Sequence, residues 1–233
     1  MKVLVSFANP KMGAKLFGLA RALFSGSGQN LSIIALHVVS VETESEGFPR
    51  LEEDEIFQAV REEAAGCDFQ FETVGFPSDW VVPGILEIAK SKDADLLLLG
   101  AARSLFSEGL LGGKVGEVLR KLSSLDVAVL ADNGLNSPIE PVVLAPGLES
   151  AAIFPLLRGL SDFLGGPIPV FSGSKQEDFG LKGSASFRPW LPFSLAPDTK
   201  KNLAVLDYET YKSFHSILLA RKDLSYLILR KGR

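Results

Sequence analysis

Strand-length apolar runs recur along this chain, and each pair is separated by enough residues for one helix. Residues 2–7 (KVLVSF), 31–39 (LSIIALHVV) and 95–100 (DLLLLG) are such runs, bounded by Asn-Pro, polar residues or glycine. They are apolar at consecutive positions, so both faces of each strand need a cover. The segments between them carry apolar residues at helical spacing: Leu16, Leu19, Ala20 and Leu23; Ile56, Val60 and Ala64; Val82, Ile85, Leu86 and Ala89; Val115, Val118 and Leu122. Ser78 or Asp79 is placed to cap the third of these helices, with Pro83 in its first turn. Phe69, Phe71 and Val74 alternate with polar residues as in a strand with one solvated face, and 126–130 is a last apolar run. The order β-α-β-α-β-α-β-α-β calls for a mainly parallel sheet with helices on both sides, an α/β fold.

The pattern restarts after the turn-rich stretch Ala131-Asp-Asn-Gly-Leu-Asn-Ser-Pro138. Residues 141–145 read as a strand, 150–164 as a helix and 168–171 as a strand. Residues 172–201, rich in Gly, Ser, Pro and Lys, read as mostly irregular. Phe187, Trp190 and Phe193 there either pack the segment onto the sheet or form an exposed partner patch. Order returns at 203–206 (strand), 208–220 (helix) and 226–229 (strand). The start at residue 3 parallels the start at 142, and 96–130 parallels 203–229. The chain therefore reads as an internal repeat. One unit covers residues 1–134, and a second, abbreviated unit covers 139–233 and lacks a middle helix–strand–helix piece. Charge follows the same boundary: residues 1–138 hold 12 Lys and Arg against 19 Asp and Glu, and residues 139–233 hold 12 against 9.

Composition narrows the function classes. A net charge of -4 disfavours nonspecific nucleic-acid binding. One cysteine, Cys67, cannot form an internal disulfide, which suits a reducing compartment. No run approaches the roughly 18 apolar residues of a membrane helix. The chain reads as soluble and cytosolic.

Residues 95–130 resemble the universal stress protein family. Its members carry a strand ending in glycine, a loop of the form G-x2-G-x9-G-[ST], a helix and a final strand. The corresponding residues here are Gly100, Arg103, Gly113 (preceded by Gly112) and Lys114, then Val115-Gly-Glu117 and the strand at 127–130. The opening strand and the strand end Leu36-His-Val-Val39 extend the resemblance over residues 1–131. It implies two parallel-sheet units of the adenine nucleotide alpha hydrolase-like type, the second truncated.

It also implies a nucleotide site. Glycines let a backbone approach phosphates, and N–H groups at a helix start bind anions. The implied ligand-binding positions are Ala8, Asn9, Val39, Gly100, Arg103, Gly112, Gly113 and Lys114. Ala8 stands where nucleotide-binding members have an acid, Arg103 replaces the second glycine and Lys114 replaces the hydroxyl. The site is therefore expected to be degenerate, with ATP bound weakly or not at all and no cofactor required. The alternative is that Arg103 and Lys114 attract an anionic ligand or another nucleotide. In the second unit neither Ala145-Pro-Gly147 nor Asp207-Tyr-Glu-Thr210 offers a phosphate site.

Two such units, opened by Ala8-Asn9-Pro10, also resemble the cytosolic C-terminal region of bacterial cation/proton (Na+/H+) antiporters. This implies a noncatalytic regulatory domain at the cytoplasmic face of the membrane, with a membrane antiporter domain preceding residue 1 in the same longer chain. A homodimer through the strand at 127–130 is expected, since that edge would otherwise be exposed. The alternative is a free-standing tandem universal stress protein that binds ATP or another small anionic ligand.

No nucleophile elbow or P-loop is present, so no enzyme activity is expected. The two histidines and one cysteine fall at unrelated spacings and give no metal pattern. His37 reads as a satisfied strand-end histidine, His215 as a helix residue, and Cys67 as a buried thiol. The acidic run Glu52-Glu-Asp-Glu55 reads as a solvated helix start, and Arg230-Lys-Gly-Arg233 as a solvated tail.

Overall fold

The computed structural model describes residues 1–24, 30–40, 53–101, 113–145, 154–172, 185–189, 202–221 and 223–232. The strands are β1 (Lys2–Ser6), β2 (Ser32–Val39), β3 (Gln70–Pro77), β4 (Leu96–Ala101), β5 (Asp126–Ala131), β6 (Pro141–Ala145), β7 (Ile168–Ser172), β8 (Ala185–Pro189), β9 (Leu203–Asp207) and β10 (Ser225–Arg230). The described helices are α1 (Pro10–Phe24), α2 (Glu53–Ala64), α3 (Val81–Ser91), α4 (Gly113–Lys121), α5 (Phe154–Leu164) and α6 (Tyr208–Ala220).

All ten strands form one sheet in the order β3-β2-β1-β4-β5-β10-β9-β6-β7-β8. Within β1–β5 and within β6–β10 every pair is parallel; β5 and β10 alone are antiparallel. Read outward from this central pair, the sequence 5-4-1-2-3 recurs as 10-9-6-7-8. The two sets of strands thus repeat one topology about a twofold relation. Their carboxyl ends point in opposite directions.

The apolar runs become strands buried on both faces. In β4, Leu96 and Leu98 face one core with Leu16, Phe17, Phe57 and Leu160. Leu97, Leu99 and Ala101 face the other with Ile85, Val118 and Leu218. Helices α1, α2 and α5 cover the first face and α3, α4 and α6 the second.

Four expectations change. The strand edge at 127–130 is not open, because β10 pairs with it from Tyr226↔Ala131 to Arg230↔Val127. Residues 185–189, expected to be irregular, form β8 beside β7, so the second set keeps all five strands. It is shorter in helices: the described residues hold α5 and α6 there against four in the first set. Neither Ser78 nor Asp79 caps α3. The helix starts at Val81, its cap position falls on Trp80, and the Ser78 hydroxyl donates to the Trp80 carbonyl at 3.0 Å. Arg230 is no solvated tail. Its guanidinium donates to the carbonyls of Leu119 (2.6 Å), Leu125 (2.9 Å) and Leu122. It thereby adds a charged donor to the carbonyls at and just beyond the end of α4, where the helical ladder runs out; the Leu122 carbonyl also accepts from Leu125 N–H at 3.3 Å.

Trp190 and Phe193 lie outside the described residues. No described helix is long and apolar enough to cross a membrane.

Candidate functional site

The chain leaves β1 to build β2 and β3 on one side, then returns to build β4 and β5 on the other. The strand order reverses between β1 and β4, and in open α/β sheets the crevice outside the carboxyl ends of the strands at such a reversal is the usual place for a ligand. The register Ser6↔Leu99 sets Phe7-Ala8-Asn9 beside Gly100-Ala101.

Ala8 is exposed at this mouth and brings no acid. Asn9 caps α1: its Oδ1 accepts from Met12 N–H at 2.9 Å, and Pro10 follows as the first helical residue. The carboxamide is thus turned back onto the helix. Gly100 lies under the first turn of α1, where Met12 packs above it. Val39 ends β2 with its carbonyl accepting from Ser78 N–H at 3.0 Å. Gly113 opens α4 with φ +59°, a left-handed conformation that favours glycine. Half-buried Lys114 follows in the first helical turn. Arg103 and Gly112 lie outside the described residues. Ala8, Asn9 and Gly100 are therefore neighbours at one mouth. Val39 ends the next strand and Gly113-Lys114 start the helix after β4.

His37 stands beside this mouth. Its Nδ1 donates to the Phe7 carbonyl at 3.1 Å, and its ring lies 6.1 Å from the Phe7 ring. Burial pulls its pKa below the usual value, against the carbonyl bond, which favours the charged form. The expected satisfied strand-end role fits this bonding.

One contact at this end was invisible at the sequence level. Lys15, in the second turn of α1, pairs with Asp132 just past β5 at 2.5 Å. The same carboxylate accepts from Gly134 N–H (2.9 Å) and Leu135 N–H (2.7 Å). Asn133 next to it donates to Ser225 Oγ (2.9 Å) and the Leu224 carbonyl (2.7 Å). The helix that starts at the crevice is thereby tied to the β5–β10 seam. An i,i+117 ion pair leaves no local sequence signal.

In the second set of strands the equivalent reversal lies between β6 and β9. There the start of α6 is taken by the chain's own anion: buried Asp207 accepts from Thr210 N–H at 2.6 Å. A phosphate brought there would meet a carboxylate already on the helix N-terminus. The remaining candidates hold no reactive constellation. Cys67 is half-buried rather than buried, its Sγ 3.8 Å from Arg21 Nη1, and it donates to the Glu63 carbonyl. His215 Nδ1 meets the Lys212 carbonyl at 3.0 Å. Among the described residues no cluster of His, Cys, Asp and Glu could hold a metal.

The sequence model of the universal stress protein family matches residues 2–131. No curated protein matches the chain. Among solved structures, a universal stress protein from Archaeoglobus fulgidus DSM 4304 superposes with TM-score 0.60 at 14% identity, over 99% of this chain and 96% of that one. The cytoplasmic domain of a prokaryotic cation chloride cotransporter gives TM-score 0.60 at 9% identity, over 99% of this chain and 95% of that one. A putative universal stress protein from Pseudomonas aeruginosa UCBPP-PA14 gives 0.58 at 12% identity, over 97% and 92%. At these identities the likeness is one of fold.

Proposed function

The chain belongs to the universal stress protein family, and from that premise we propose that it is the noncatalytic cytosolic regulatory domain of a bacterial cation/proton antiporter, with a degenerate nucleotide site. The observation that carries this reading is the state of the crevice. Ala8 supplies no acid, the Asn9 carboxamide caps α1, and Gly100 lies under Met12. Of the described residues at this mouth, these three therefore offer a nucleotide neither an acid nor an uncommitted carboxamide. The cation chloride cotransporter domain supports the rest, since a transporter of another class carries a cytoplasmic domain of this fold along nearly its whole length.

On this reading residues 1–134 and 139–233 are two units of one body. Their continuous sheet leaves little freedom for one unit to swing against the other, because opening the seam breaks the β5–β10 ladder. Regulation then works through surfaces presented to the membrane domain, with binding energy that differs between transport states. A second copy would dock at a surface other than β5.

Antiport measured in membrane vesicles, with and without residues 1–233 fused to the membrane domain, tests the reading. A shifted ion or pH dependence is expected, and superimposable curves would overturn it. The second reading is a free-standing tandem stress protein that binds ATP or another small anion. It is favoured by the Archaeoglobus stress protein of equal fold likeness and by Lys114 in the first turn of α4. Calorimetry with magnesium and ATP separates the two, because micromolar affinity belongs to the second alone.

A further inference from the structure

A Cβ placed on Gly100 would lie 2.5 Å from Met12 Cγ and 2.7 Å from its Sδ. The thioether already fills the space above this glycine. A glycine at such a point of an α/β sheet admits something close to the backbone. Here the chain's own side chain takes that approach. Methionine is unbranched and settles into irregular gaps, and Met12 packs onto the core of the α1 face.

Its backbone is fixed on two sides. Asn9 Oδ1 holds the Met12 N–H. Gly13, the next residue, sits so close to the Phe7 ring and to Val60 that a Cβ on it would lie 2.9 Å from each. The first turn of α1 is thus closely packed on the sheet, and rotation or truncation of the Met12 side chain is the simplest way to open the space.

We infer that Met12 is a plug in the crevice: its thioether, in addition to the missing acid at Ala8, keeps a nucleoside from the β4 backbone. The inference rests on reading this crevice as a degenerate nucleotide site. It makes closure a property of one removable side chain.

The test is calorimetry of the full chain with magnesium and ATP, comparing Ala8→Asp with the doubles Ala8→Asp/Met12→Ala, Ala8→Asp/Met12→Ser and Ala8→Asp/Met12→Leu. Ala8 is exposed, so aspartate is accommodated there. The Ala and Ser doubles should bind at least tenfold tighter than Ala8→Asp. The Leu double, which refills the space, should stay with Ala8→Asp. Far-ultraviolet circular dichroism identifies a variant that fails to fold, and the Ala and Ser doubles give two independent openings. Equal affinity of Ala8→Asp and a folded opened double overturns the plug, as does absence of binding in every folded variant. Micromolar binding by the unaltered chain would sink the degenerate-site reading and the plug together, so the two failures are distinguishable.

Discussion

Gly159 of α5 lies directly against the backbone of Leu23 in α1: a Cβ placed on it would stand 2.9 Å from the Leu23 carbonyl carbon and closer still to the oxygen. Leu23 is in the last turn of α1, where carbonyls lack helical partners. The bare glycine lets the two helices approach there, and Leu160 and Leu156 pack alongside. Gly159→Ala should therefore push the helices apart and cost about 3 kcal/mol. Gly18, inside α1, has nothing within 4 Å of its Cβ position. Gly18→Ala should stabilise by about 0.5–1 kcal/mol through helix propensity alone. Urea unfolding of both variants checks the contrast. Two shifts of the same sign would show that packing at Gly159 is not the cause.

Arg230 joins β10 to the end of α4 through three carbonyls. Arg230→Met keeps much of the stem but none of the donors. It should cost about 2 kcal/mol, because hydrogen bonds from a charged donor are lost and half-buried carbonyls are left without it. Hydrogen exchange should rise in the last turn of α4 before it rises in β4. Unchanged protection there would refute the capping role.

The Lys15–Asp132 pair gives an acid-side signature. Burial alone would raise the Asp132 pKa, but the hydrogen bond from Lys15 and the N–H groups of Leu135 and Gly134 outweigh it and hold the carboxyl below its usual value. An acid with a depressed folded pKa contributes stability above its unfolded pKa, and that contribution is lost as pH falls through the folded value. Asp132→Asn should thus cost about 1 kcal/mol at pH 7, given the partial exposure of the pair. The difference from the parent should shrink below about pH 4. A difference independent of pH would assign the loss to the turn rather than to the charge.

His37 gives a second window at higher pH. Burial lowers its folded pKa below the unfolded value of 6.5, so the unfolded chain takes up its proton first. Stability conferred by neutral His37 is complete above the unfolded pKa and falls as pH drops from there through the folded pKa. Urea midpoints should decline between pH 7.5 and 5, and His37→Gln, which keeps an N–H for the Phe7 carbonyl, should flatten that decline. An equally steep decline in the variant would place the titration elsewhere.

Much of this architecture could be read from residue order, for a physical reason. A strand covered on both faces must be apolar at successive positions, so β1, β2, β4, β5, β9 and β10 announce themselves as unbroken runs. β8 does not: ASFRP at the sheet margin carries one large apolar residue, an arginine and a proline. The antiparallel join was also hidden, since a run buried on both faces looks the same whether its neighbour runs with it or against it. Asn9-Pro10 is a legible helix start, and so the capping role of Asn9 was within reach. Met12 above Gly100 was not, because it depends on the height of α1 over the sheet. Lys15 with Asp132 requires knowing that β5 ends beside α1.

The opposed carboxyl ends of β1–β5 and β6–β10 make the body two-ended. A flat neighbour such as a bilayer or a membrane-embedded subunit that meets the mouth between β1 and β4 leaves the mouth between β6 and β9 turned to the far side. Near-identical topology would thus meet unlike surroundings at its two ends, and at the second of them the start of α6 is held by the chain's own Asp207.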